Sequence, residues 1–425
     1  MTTIKSVCMA LMMASGALAS PDGFQPRTDI NPALQYYQAF LVAPDLAQAD
    51  KDFLFANPRW DQKLSDRAGE LLHQYDNQFK LARQASRSTV LCDWGIDMSP
   101  GPAVLLPQLA RNKIIAQAAR LRARWFLQQG QPAEARDDLL AAFTLGRDSS
   151  RDGTLIAALV QFAAENIVYV TVAENFGRFD AETLKQLAEG FDAAPARGTV
   201  ANCVPTEKAF FRDWMIARIL ELQKNNPHDN TKGMAGVREM IALTEGGEEG
   251  TKTAHPSLWE QVERASGGTV QGVLKILADE SPLYERLEKV TSSSILEFPE
   301  QMKQFKGEFQ KSGDPFVTQS FTAWEKCVPK EFATRIALAM VRAAIEYKVH
   351  GETGLNTITD PASAGPFEFQ RFVFEGADRG FQLKSAYNGR GFPEVMIFVE
   401  QQQGQGFKVD GKNAGEAFAQ TPNSK

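Results

Sequence analysis

The feature that most limits the folds open to this chain is a helical spacing of apolar residues, recurring from Asn31 to about His350 with few interruptions. Its most regular stretch places Leu106, Ala110, Ile114, Ala118, Leu121 and Trp125 on one helical face, with Arg111, Arg120 and Arg122 off that stripe. Gln129-Gly130-Gln131-Pro132 then turns the chain, and Ala133 to Leu145 forms a second helix through Ala135, Leu139, Ala142 and Phe143. A helix pair joined by a Gly-containing turn, with small residues where the helices touch, resembles a tetratricopeptide unit. One such unit cannot bury its own face, so the expected fold is mainly α: a multi-helix array or bundle with tetratricopeptide-like helix pairs.

The same spacing organises the rest. Asn31-Pro32 reads as an N-cap followed by proline at the first helical position, and Asp61 to about Arg83 as a long amphipathic helix. Residues 87–105 carry too many breakers to be helical. Leu155 to Val172 is almost wholly apolar, but Gln161, Glu165 and Asn166 lie within it. One acidic residue at the centre of a membrane span costs roughly 2.5–3.5 kcal/mol. The segment is therefore expected as the most buried helix of a bundle, with no transmembrane span after signal cleavage. Further helices are expected at 180–191, Pro205 to Lys224, Leu258 to Ala265, Val270 to Val290, Ile295 to Phe309 and Lys330 to His350.

Polar, Gly-rich stretches at 225–230 and 245–250, with one short helix between them, mark residues 225–256 as a linker between helical regions at 20–224 and 257–350. Past Gly351 the texture becomes strand-like, in Phe367 to Phe374, Gly380 to Leu383 and Val395 to Val399, which predicts a small β-containing module over 351–400. Residues 401–425 are expected to be disordered.

The first 19 residues set the expected destination. Lys5, the apolar run Val7 to Ala14 and the small-x-small site Ala17-Leu18-Ala19 form a signal peptide, and the apolar run is too short to span a bilayer. The mature chain is thus expected to be exported, periplasmic or secreted. A net charge of −6 on the full chain argues against nucleic-acid binding. After cleavage Cys92, Cys203 and Cys327 remain. An oxidising compartment favours one disulfide, expected as Cys92 with Cys203, against the alternative of three buried thiols. The four histidines are scattered, so no metal site and no cofactor are expected.

Chemistry could reside in two places. Asp93 and Asp97 flank Trp94 in a breaker-rich loop; two carboxylates beside an indole could grip a sugar ring and act as general acid and base, with Trp94 as a ligand contact. The plainer reading has the aspartates capping local turns and Trp94 plugging the core. Glu165 is the other acidic candidate, and a buried Glu165 would ordinarily pair with Arg120, Arg124 or Arg147. The arginine-rich face at 111–124 is most simply a solvated surface. Common nucleophile-elbow, zinc-protease, P-loop and dinucleotide-binding motifs are missing.

Two stretches carry a resemblance. The loop Cys92-Asp93-Trp94-Gly95 with Gly101-Pro102 and Leu106-Pro107, followed by the helix pair ending Ala141 to Asp148, resembles a group of uncharacterised, exported, mostly helical bacterial proteins. The segment Ala337 to Ser385, with Asp360-Pro361 ahead of an aromatic strand, is similar to the C-terminal part of type II secretion pseudopilins. The resemblance implies export and a helical architecture, and it suggests an accessory role in a secretion or pilin-like system. The leading expectation is an exported, non-catalytic scaffold that presents helical surface to a protein or envelope partner. The rival is a periplasmic glycan hydrolase using the Asp93–Asp97 pair.

Overall fold

The computed structural model describes residues 27–56, 60–227, 229–244, 256–374, 376–389 and 394–400. The signal peptide and the 401–425 tail expected from the sequence lie outside the described residues. The protein is mainly helical, with a small three-stranded antiparallel sheet near the C-terminus.

The N-terminal helices are α1 (Pro32–Leu41), α2 (Gln48–Leu54), α3 (Asp66–His73) and α4 (Asp76–Ala85). Asn31 caps α1 by accepting the Ala33 N–H at 3.1 Å, and Ser65 caps α3 by accepting that of Ala68. The expected hairpin follows as α5 (Pro107–Gln128) and α6 (Pro132–Ser149), packed along their lengths. Both open with proline at the first helical position, where its missing N–H costs nothing.

Helix α7 (Leu155–Glu174) is the centre of the molecule. It packs against α5, α6, the long C-terminal helix and the last strand. Among the described residues it alone is long and apolar enough to cross a membrane by length and composition, yet Ala157, Phe162, Val168, Tyr169 and Val172 are buried against protein.

Helix α5 corrects the sequence reading of its faces. Ala110 and Ile114 of the expected apolar stripe are exposed, whereas Arg122 and Arg124 are 3% and 2% exposed. A helix enclosed by α3, α6 and α7 has more than one buried face, and periodicity locates only one. Arg122 is held by Asp138 at 2.8 Å, Asp76 at 2.6 Å and the Leu72 carbonyl.

The chain continues through α8 (Ala181–Ala193), α9 (Val200–Lys208), a π turn (Ala209–Asp213) and α10 (Trp214–Asn225). Then follow α11 (Asn230–Thr244), α12 (Leu258–Ala265), α13 (Val270–Asp279), α14 (Ser281–Thr291), α15 (Phe298–Ser312) and α16 (Pro315–Leu355). Within the expected 225–256 linker, the short helix between the polar runs is α11, and its Met234, Val237, Met240 and Ile241 are buried in a second, smaller core with Met215, Ile219, Val262, Val273 and Leu277. The two cores do not divide the chain in sequence. Helices α10–α13 build the small core, while α14–α16 return to the large one.

The strands are β1 (Glu368–Phe374), β2 (Ala377–Lys384) and β3 (Val395–Val399), paired in that order, with the β1–β2 register slipping between Phe372 and Val373. The expected small β-containing module is this sheet, and it shares the large core. Phe381 and Phe398 belong to the large core and meet Phe176, just past α7, edge to face at 5.7 and 5.3 Å. Gly177 is required there, since a Cβ would lie 1.9 Å from the Glu400 carbonyl oxygen.

Candidate functional site

Loop 92–98 is fastened to α1. Asn31 both donates to the Asp93 carbonyl at 2.7 Å and accepts the Asp93 N–H, and the Tyr37 hydroxyl donates to the Trp94 carbonyl at 3.1 Å. Trp94 is buried; its ring stacks on Tyr36 and Phe40, and its indole N–H donates to the Asp148 carbonyl at 2.8 Å. Asp93 accepts the Gly95 N–H, and Asp97 accepts both the N–H and the hydroxyl of Ser99. These are Asx-type turns. Both carboxylates accept hydrogen bonds within the loop, and the tryptophan fills the core.

Asp148, beneath this loop, accepts the Tyr36 hydroxyl at 3.0 Å. Burial pushes its carboxyl up to about 7, against the opposing effects of that hydrogen bond and of Arg151. Cys92, Cys203 and Cys327 are all free and buried, so the expected Cys92–Cys203 bridge does not form. The two thiols sit in different neighbourhoods: Cys92 beside Ala33 and Asp148, Cys203 donating to the Thr154 and Thr199 carbonyls. Burial raises the pKa of all three.

Glu165 is fully buried, and burial raises its pKa against the pull of Arg197 and Arg147. It pairs with Arg147, as one of the expected partners, and with Arg197 at 2.9 Å, which the sequence reading missed. Gln161 donates to Glu165 at 3.1 Å and accepts the Gly198 N–H at 3.0 Å, while Glu331 accepts the Val200 N–H at 2.7 Å. This polar cluster ties α6, α7, the 194–199 loop, α9 and α16 together inside the core. It is a brace, and it has no open face on the cavities below. Arg120 turns instead to Glu174, at 3.1 Å.

A cavity with ligand-holding geometry lies elsewhere, at the seam between the two cores. The cavity, of about 370 Å³, is lined by Phe210, Phe211, Tyr284, Phe316, Trp324 and Glu207, with Leu258 beside them. That volume and apolar lining suit a small molecule or a single large side chain. Tyr284, Phe316, Trp324 and Leu258 form a buried floor, and exposed Leu243 and Ala323 form the rim.

Local backbone chemistry shapes this wall. Pro205 stands inside α9 and has no N–H to give to the carbonyl four residues back, and the ladder is next rebuilt as the π turn Ala209–Asp213. The turn carries two consecutive phenylalanines, Phe210 and Phe211, onto the cavity wall. Such turns recur at functional sites.

Behind the wall the charge is acidic. Glu207 accepts the Leu155 N–H at 2.7 Å, and burial raises its carboxyl pKa. Asp314 caps α16 by accepting the Phe316 and Val317 N–H groups. Glu280, one helical turn before Tyr284, is 1% exposed, and neither carboxyl oxygen has a hydrogen-bond partner. Burial, reinforced by Asp314, pushes it up to about 9. Arg212 opposes that shift, but its hydrogen bonds go to the Leu277 and Ala278 carbonyls at the end of α13, and it pairs with Asp213. Among the described residues no group of three or more His, Cys, Asp or Glu could hold a metal ion.

No family model, curated protein or solved structure matches this chain. The site rests on its own geometry.

The sequence reading ran Val270 to Val290 as one helix and passed over the break at Glu280. The available signal was Glu280-Ser281-Pro282: proline belongs in a first turn, and it disfavours a helical residue before it. The aromatic wall gave no local signal, because its members come from the π turn, α14 and α16, which meet only in the fold.

Proposed function

We propose that the protein is an exported, non-catalytic helical scaffold of the cell envelope, and that it engages its ligand or partner at the seam between its two helical cores. The observation that carries this reading is the aromatic-floored cavity of about 370 Å³ whose wall is built by a π turn. Export rests on the charged, apolar and small-residue order of residues 1–19. The carboxylates that a hydrolytic reading would use, Asp93 and Asp97, serve loop hydrogen bonds, which favours binding over turnover.

Titration of the mature chain with the neutral, apolar fluorophore N-phenyl-1-naphthylamine tests the reading. Saturable binding of about one molecule per chain is expected. Ala323→Trp, placed at the rim, is expected to abolish it while leaving the far-ultraviolet circular dichroism unchanged. Absence of saturable binding, or binding indifferent to Ala323→Trp, overturns the proposal. Fractionation of the tagged full-length chain tests export: a periplasmic or medium product shortened by the first 19 residues is expected, and a cytoplasmic product of full length contradicts it.

A further inference from the structure

Two properties of the seam cavity are not explained by apolar binding alone. The first is composition: Phe210, Phe211, Tyr284, Phe316 and Trp324 surround a single space, and the faces of aromatic rings attract cations. The second is a buried acid without a hydrogen bond. Buried carboxyls are ordinarily hydrogen-bonded or paired, yet both oxygens of Glu280 lack a partner. Burial raises the pKa of the Tyr284 hydroxyl, and Glu280 and then Glu207 raise it further against Arg212, so the two carboxylates act on one cavity-lining group. Around Glu280, Asp314 and Asp213 add to that field and Arg212 opposes it from its place on the Leu277 carbonyl and Asp213.

Resting on the reading that the cavity is a binding site, we propose that its ligand is an organic ammonium ion, its charged head held in the field of Glu207 and Glu280 and its apolar body against the aromatic wall. An aromatic surround lowers the cost of stripping water from an ammonium head, and the waiting carboxyl supplies the counter-charge. A purely apolar ligand would gain nothing from the acids, and an anion would find no counter-charge among them.

The proposal carries a proton balance. With its carboxyl pushed up to about 9, Glu280 enters the reaction neutral at pH 7. The field of the incoming cation favours its ionised form, so the proton leaves for the buffer as the cation binds. Up to one proton is released per ligand bound.

Calorimetric titration with phenethylammonium and with its neutral analogue 2-phenylethanol, in two buffers of different ionisation enthalpy, tests this. Phenethylammonium is expected to bind at least tenfold more tightly than the alcohol, with an enthalpy that differs between the buffers. Glu280→Gln and Glu207→Gln keep the side-chain shape and an acceptor oxygen. Each is expected to reduce the cation's preference over the alcohol several-fold, and an unchanged far-ultraviolet circular dichroism spectrum reports that the variant is folded. Equal or weaker binding of the cation, or a preference that survives both substitutions, overturns the proposal. If the naphthylamine binds and phenethylammonium does not, the cavity reading stands and the cation inference falls. If neither binds, both fall.

Discussion

Glu280 and Glu165 are both buried glutamates, and their surroundings separate them. Glu165 has two guanidinium partners and a glutamine, and it is consumed in bracing. Removing its charge leaves Arg147 and Arg197 without their counter-ion inside the core. Glu165→Gln is therefore expected to cost about 3–5 kcal/mol, read as a lower urea midpoint with unchanged slope. A loss under about 1 kcal/mol would contradict the brace. Glu280 predicts the opposite behaviour. Its folded-state pKa, raised to about 9, lies above the ordinary glutamate value, so the native state holds the proton more tightly than the unfolded chain. Its contribution is complete at acidic pH and is lost as pH rises from about 4.3 towards about 9. Glu280→Gln is expected to be more stable than the parent by a few kcal/mol at pH 8–9, with the gap closing below pH 5. Urea melts across that range check it, and a gap independent of pH would contradict it. At this scale the sequence was partly legible. Glu165 and Arg147 could be paired from their helices, whereas Arg197 sits in a loop whose approach depends on α9.

At the scale of elements, α9 and its π turn decide the site. Pro205 interrupts a helix whose N-terminus is fixed by the Thr199–Asn202 capping box, so the adjustment falls on the residues that follow. Pro205→Ala is expected to favour a regular helix through residues 209–213 and to weaken N-phenyl-1-naphthylamine binding at least threefold, without loss of stability. Unchanged affinity would separate the π turn from the site. The expected Pro205-to-Lys224 helix already contained both parts of this device, proline and paired phenylalanines. What it lacked was a way to see that the hydrogen-bond ladder changes pitch, since apolar spacing alone does not distinguish an α turn from a π turn. Helix α5 marks the same limit. Its hairpin with α6 was legible from Gly130 and Pro132, but Arg122 and Arg124 looked solvated because one-sided amphipathicity was assumed.

For the whole molecule, the arrangement of two cores is the main result that no local pattern announced. Polar runs at 225–230 and 245–250 suggested a spacer, yet the helix between them packs its methionines into the small core. Phe316 belongs to that small core, while Tyr284 and Trp324 belong to the large one, so the cavity floor draws on both. A ligand held there stabilises the two together. At a free concentration of 100 times Kd, N-phenyl-1-naphthylamine is expected to add about 2.7 kcal/mol to unfolding, moving both cores in one transition. A shift confined to one of two separate transitions would contradict a shared site. Hydrogen exchange of the mature chain with and without saturating N-phenyl-1-naphthylamine tests the seam most directly. Slowed exchange is predicted in residues 205–213, 280–284 and 315–324, with loop 92–98 unchanged. Slowing confined to loop 92–98, or none in those three segments despite saturable binding, would contradict a binding site between the cores.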